Sequence, residues 1–298
     1  MGYWVTLSRA DVLGLLAGSG IAPSRALGQN FVADANTVRR IARLAGVGQG
    51  DRVIEVGAGL GSLTLALVET GATVVAVERD RWLVPVLRRV LDERAPSARV
   101  TVVEADAMNL DWAALLGPGN GWALVANLPY NVATPLVADL LDGVPAVERM
   151  LFMVQSEVAD RLVAGPGAAA YGAVSVKVAY WSEAHLVGVV PSTVFVPKPR
   201  VGSALVSLRR RAAPAVDPSV VAAADLFRIV RAGFAQRRKM LRRALAGLNV
   251  TPDVFSEAGV DGQSRAEELS VADWGRLAAA ICASERPARS DGRNGPSE

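Results

Sequence analysis

Between residues 51 and 208 the chain alternates short β-branched runs with stretches of helical spacing. RVIEV (52–56), TVVAVE (73–78), RVTVVEAD (99–106) and WALVAN (122–127) are almost continuously apolar, the pattern of strands buried on both faces. GSLTLALVETG (61–71) and RWLVPVLRRVLDERA (81–95) predict the intervening helices, with Pro85 in the first turn of the second. Strand–helix repetition of this kind predicts an α/β fold, a parallel sheet covered by helices. RMLFMVQ (149–155), SVKVAYW (175–181), AHLVGVV (184–190) and SALVSLRR (203–210) read as further strands with little helix between them, antiparallel and finishing the sheet's far edge.

A Pro- and Ala-rich linker, RRRAAPAVDPS (209–219), is followed by a helical pattern over 220–248 with a break expected near Gly233. Thr251 with Pro252 predicts a helix start, and Ser270 with Asp273 a capping box opening a last helix. From Ser284 the tail has little to bury and is expected to be disordered. The expected division is an extension over 1–22, an α/β domain over 23–210, a small helical domain over 211–283 and a tail over 284–298.

Composition narrows the chemistry. Half of the 298 residues are apolar and a fifth are charged, as in a globular protein with a substantial core. One cysteine, Cys282, allows no internal disulfide, and one histidine, His185, forms no metal site alone, so no metal is expected. No apolar run reaches the length of a membrane span, and the first twenty residues lack the basic start of a signal peptide. A soluble, cytoplasmic protein with no membrane partner is expected. Charge is uneven: 209–247 holds ten basic and two acidic residues, a local +8 within a net +3, leaving −5 elsewhere. Such asymmetry points to an anionic partner for that segment.

Four strand ends carry candidate chemistry. EVGAGLGSLT (55–64) sets Gly57, Gly59 and Gly61 between a strand and a helix, where backbone approaches a ligand closely. Glu78 at the end of the second strand can accept from both hydroxyls of a ribose, and Asp106 at the end of the third from an adenine amino group. Each acid alone reads better as a solvated strand-end carboxylate; together with the glycine turn, an adenosine-containing cofactor fits. The fourth strand ends in NLPY (127–130). If the cofactor is S-adenosylmethionine, whose methyl is already activated, the enzyme needs a substrate atom held in line rather than a nucleophile. Asn127 Oδ1 and the Leu128 carbonyl can each accept an N–H of an adenine amine, Pro129 stiffens the turn, and Tyr130 offers a stacking face. The plainer alternative is a turn whose Asn caps a helix and whose Tyr is core.

The chain resembles the bacterial small-subunit (16S) ribosomal RNA adenine dimethyltransferases, the KsgA family, over residues 23–277. The resemblance rests on LGQNFVAD (27–34), EVGAGLGSLT, the acids of VERD and EAD, ANLPYN (126–131), FMVQSEVADRL (152–162), YGAVSVKV (171–178), PSTVFVPKPRVGSALV (191–206) and GFAQRRKMLR (233–242). It implies a Rossmann-like S-adenosylmethionine-dependent methyltransferase with a small all-helical C-terminal domain. Its activity would be N6,N6-dimethylation of two adjacent adenines near the 3′ end of 16S rRNA in the small ribosomal subunit, by a monomer. It implies that Gln29, Asn30 and Val32 close over a cofactor lined by Glu55, Gly57, Gly59, Glu78, Asp106 and Asn127. Phe195 would stack on the target adenine opposite Tyr130, and Arg237, Arg238, Lys239 and Arg242, on a basic helix, would contact RNA. Ser24, Arg25, Ala26 and Leu27 replace a more basic cluster of that family, Ser156 a usual lysine and Ala235 a common asparagine, departures that bear on RNA affinity. Two other readings are a large-subunit rRNA methyltransferase of the antibiotic-resistance type, disfavoured by Leu128 and the QRRK block, and a non-catalytic ribosome-assembly factor of the same fold.

Overall fold

The computed structural model describes residues 6–24, 27–129, 132–248 and 250–285. In chain order the elements are α1 (Arg9–Ser19), β1 (Phe31–Val32), α2 (Ala35–Ala45), β2 (Arg52–Val56), α3 (Ser62–Val68), β3 (Thr73–Glu78), α4 (Leu83–Arg94), β4 (Val100–Glu104), α5 (Trp112–Leu116), β5 (Trp122–Asn127) and α6 (Ala133–Gly143). There follow β6 (Val147–Gln155), α7 (Ser156–Val163), α8 (Ala173–Trp181), β7 (Ser182–Val190), β8 (Phe195–Val196), β9 (Ser203–Arg210), α9 (Ala223–Ala235), α10 (Leu241–Ala244), α11 (Pro252–Ala258) and α12 (Val271–Ser284). Two compact units emerge, Met1–Ala164 with Trp181–Ala212, and Gly165–Tyr180 with Ala213–Glu298.

In the first unit a seven-stranded sheet runs β4-β3-β2-β5-β6-β9-β7. Its first five strands are parallel, whereas β9 is antiparallel to both β6 and β7. The chain steps from β2 outward to β4, then returns to the other side of β2 as β5. That reversal opens a crevice beyond the carboxyl ends of β2 and β5, where open α/β sheets bind ligands. The helices bury their apolar stripes on the sheet: Leu83, Val86, Leu87, Val90 and Leu91 of α4 join Val53, Val74 and Val125 in one core.

Residues expected as an N-terminal extension belong to that same packing. Ser8 and Asp11 form a capping box on α1, Gly20 closes the helix in the left-handed region, and Asp11 pairs with Arg94 at 2.7 Å. Leu7, Val12 and Leu16 are buried in the core that holds Phe31, Val32 and Phe195. Beside the main sheet, β1 and β8 form an antiparallel pair, Phe31 opposite Val196 and Val32 opposite Phe195. Between the expected late strands, SEVADRLV instead forms α7.

The second unit corrects three expectations. SVKVAYW is helix α8, not a strand, although its apolar residues alternate. Buried Ser175, Val176, Val178 and Tyr180 surround the helix, and Tyr180 meets Phe227 edge-on at 5.2 Å, so tertiary packing overrides a period-two pattern. This segment groups with the C-terminal helices rather than with the catalytic sheet. Helix α9 runs through Gly233 without a break; a Cβ there would lie 2.5 Å from Trp274, so the glycine makes room for an indole. Finally, Gln236–Lys239 is a turn after α9, not a basic helix. The expected Ser270–Asp273 capping box opens α12, which extends through Ser284; the tail beyond 285 lies outside the described residues. Thr251 holds the N-cap of α11 with Pro252 in its first turn.

Candidate active site

The cleft at the β2/β5 crevice is lined by the 27–32 loop, the glycine turn, the ends of β3 and β5, and residues 105–108. Gly57, Gly59 and Gly61 all have positive φ, a region costly to any L side chain. At Gly59 crowding adds to this, since a Cβ would lie 3.1 Å from the Phe31 ring. At Gly57 it would face the Asn127 carbonyl and Pro129 at 3.6 Å, which shows how closely the two strand-end turns approach.

Glu78 ends β3 nearly buried. Its Oε2 accepts from the Gly59 amide at 2.7 Å and its Oε1 from the Asp80 amide at 2.8 Å. Burial raises its pKa, and these backbone donors oppose the shift. The carboxylate therefore locks the glycine turn to the next strand while it lines the cleft. Glu55 lies deeper on β2, accepts from Thr64 Oγ1 at 2.6 Å, and is pushed up to about 8 by burial, with the charge of Glu78 adding. Burial thus favours its neutral form near pH 7. Asp106 lies two residues beyond the end of β4; its Oδ1 accepts from the Met108 amide and its Oδ2 pairs with Arg79 at 3.2 Å.

A strap crosses the cleft. Gln29 Nε2 donates to Asp80 Oδ2 at 2.7 Å, and the next residue's carbonyl, that of Asn30, accepts from Asn127 Nδ2 at 3.0 Å. The 27–32 loop thus spans from the end of β3 to the end of β5, and Val32 continues it as a buried cleft residue in β1. Because Nδ2 of Asn127 is held by the strap, the amide's acceptor, Oδ1, is the end left for other partners. The Leu128 amide donates to the Met153 carbonyl, and the Pro129 carbonyl accepts from Val132 and Ala133, fixing the turn into α6.

The structure thus brings together Gln29, Asn30, Val32, Glu55, Gly57, Gly59, Glu78, Asp106, Asn127 and Pro129 around one cleft. Leu128 is buried beside it. Tyr130 lies outside the described residues, as do Arg25 and Ala26. Phe195 is 0% exposed in the apolar core, paired with Val32, and is not among the residues that line the cleft. Arg237 is not a free cation either; it donates to Glu267 at 2.6 Å and to the Ala169 carbonyl at 2.7 Å within the second unit. Arg238, Lys239 and Arg242 are exposed.

Sequence reasoning missed Asp80, which anchors the strap, although an acid at a helix start was a usable signal. It missed Ser62, whose buried hydroxyl lines the cleft without a protein partner. No sequence pattern marks that. Among the described residues no three His, Cys, Asp or Glu side chains form a metal cluster, and no helix is long and apolar enough to cross a membrane.

A family model described as ribosomal RNA adenine dimethylase matches residues 23–282. Ribosomal RNA small subunit methyltransferase A of Kineococcus radiotolerans is 51% identical over 278 residues, 92% of this chain and 91% of that protein. The protein of the same name from Cutibacterium acnes is 50% identical over 270 residues, 88% of this chain and 90% of the other. Among solved structures, a dimethyladenosine transferase from Plasmodium falciparum shares the fold at TM-score 0.70 and 22% identity, covering 82% of this chain and 94% of that one. The 23S rRNA methyltransferase ErmE aligns at TM-score 0.65 and 26% identity, covering 85% and 99%.

Proposed function

This chain belongs to the ribosomal RNA adenine dimethylase family, and we propose that it uses S-adenosylmethionine to dimethylate N6 of two adjacent adenines near the 3′ end of 16S rRNA. The observation that carries this reading is the convergence at one cleft of the glycine turn, buried Glu78 and the strap-held amide of Asn127. The chain is 51% identical to a small-subunit enzyme and 26% to a 23S enzyme, which favours the small subunit as the site of action.

The residues present fit the cofactor. The unpartnered buried Ser62 hydroxyl beside a glycine turn calls for a polar ligand, and Glu78 and Asp106 offer acceptors for hydroxyl and amino groups. When bound, S-adenosylmethionine supplies a methyl that is already electrophilic, so no covalent nucleophile is required. The protein's task is to hold a poorly nucleophilic amine in line. Asn127 Oδ1 and the Leu128 carbonyl accept its N–H groups, and Pro129, lacking an amide N–H, adds no competing donor. Tyr130 supplies a stacking face for the base. Gln29, Asn30 and Val32 close the cofactor side. In the second unit Arg238, Lys239 and Arg242 contact phosphates, while Arg237 braces their turn against Glu267.

The test is methylation of unmodified small subunits with labelled cofactor, followed by mapping of the modified nucleotides. Two adjacent N6,N6-dimethyladenosines near the 3′ end are expected; label confined to 23S rRNA overturns the reading.

A further inference from the structure

The basic segment at 209–247 is not the chain's sole cationic surface. Residues 79–89 hold four arginines, Arg79, Arg81, Arg88 and Arg89, and one acid, Asp80. The acid's oxygens accept from Gln29 Nε2 and the Trp82 amide, so they are committed to the strap and the turn. Leu83, Val84, Val86, Leu87, Val90 and Leu91 turn α4's other face into the core, leaving Arg81, Trp82, Arg88 and Arg89 exposed. Trp82 is 65% exposed, with the Arg81 guanidinium 4.9 Å above its ring.

Local stability does not explain this tryptophan. It occupies the N-cap of α4, where Ser, Thr, Asp or Asn would stabilise the helix, and makes no side-chain capping bond. Its ring adds little to the core. What the position does have is proximity to the cleft: it follows Asp80, which anchors the strap, and precedes Leu83, which lines the cleft. An exposed aromatic ring with a guanidinium over it, beside two further arginines on a helix whose next turn carries the exposed acids Asp92 and Glu93, offers single-stranded nucleic acid a stacking face with phosphate-binding charge close by.

We propose that Trp82, with Arg81, Arg88 and Arg89, is a second RNA-contact surface, on the catalytic unit, that stacks an unpaired base of the substrate strand beside the cleft. It rests on the reading of the substrate as RNA. The ring carries the stacking contact and the arginines carry backbone charge, so the two parts separate by mutation.

Binding is measured with unmodified small subunits and, separately, with a short single-stranded RNA of mixed sequence. Trp82→Ala weakens both by roughly tenfold, the scale of one base stack, while Trp82→Tyr retains most of the affinity. Arg81→Ala with Arg88→Ala lowers the salt slope of single-strand binding by about 0.7 per charge removed. Cofactor affinity and melting temperature stay at wild-type values, which a merely structural role would not allow. Wild-type binding of both RNAs by Trp82→Ala overturns the stacking surface. If wild-type enzyme methylates no 16S rRNA but Trp82→Ala still weakens single-strand binding, the functional reading fails and the surface stands.

Discussion

The strand-end cleft of the first unit and the basic turn of the second handle charge in opposite ways. In the cleft almost every polar group is tied down: Glu78 by two backbone amides, Glu55 by Thr64, Asp80 by Gln29, Asn127 by the Asn30 carbonyl. In the turn at 236–239 one arginine is pinned and its neighbours project into solvent. On the proposed function, the first is a rigid site where angstrom-scale placement would decide the rate. The second suits a polyanion, which is bound through charge number more than through geometry.

Asn127→Ala is the sharpest way to break that contrast. Losing one positioned acceptor at the reacting amine should lower single-turnover methyl transfer by about 10²–10³-fold at saturating cofactor, with folding checked by melting temperature. A folded variant working at the wild-type rate would remove the aligning role. Glu78→Ala comes next. It strands the Gly59 and Asp80 amides and removes a ligand acceptor, so cofactor affinity measured by calorimetry should fall about 10- to 100-fold.

Replacing Arg238, Lys239 and Arg242 with alanine should leave cofactor affinity unchanged and flatten the salt dependence of small-subunit binding by about 0.7–0.9 for each phosphate that is no longer neutralised. An unchanged slope would mean that these side chains only face solvent. Arg237→Ala tests the pinned member. Its partly exposed pair with Glu267 predicts a stability loss of about 1 kcal/mol or less, read by denaturant melting.

The smallest effect concerns pH. Glu55 has its pKa raised to about 8 from an ordinary value near 4.5, so between those values the folded protein holds a proton that the unfolded chain has released. Stability from this group is therefore full below pH 4.5 and is lost as pH rises through 8. Glu55→Gln keeps an acceptor for Thr64 and cannot titrate. The melting temperature of the wild type should fall more steeply over that window than that of the variant; parallel curves would mean that Glu55 is charged when folded.

Much of the site was legible from residue order because its parts are local. A glycine turn between strand and helix, an acid closing a strand and an NLP turn are each written in a few adjacent letters, and continuous apolar runs place them at the ends of parallel strands. The chain's own letters also set the capping box of α12 and the antiparallel run at the sheet's edge. What they could not decide are matters of partner choice across long separations. Alternating Val176 and Val178 suit a strand or a buried helix equally, and the choice fell to Tyr180 against Phe227. Gly233 looked like a break until Trp274 claimed its space. Phe195 is as apolar in a cleft as in a core, and only its pairing with Val32 put it in the core. Asp80, Gln29, Asn30 and Asn127 form one strap over nearly a hundred residues of chain because the sheet order sets β3, β2 and β5 side by side. Hydrogen bonds and packing act between neighbours in space, and sequence periodicity reports only which face a residue turns, not what it will meet there.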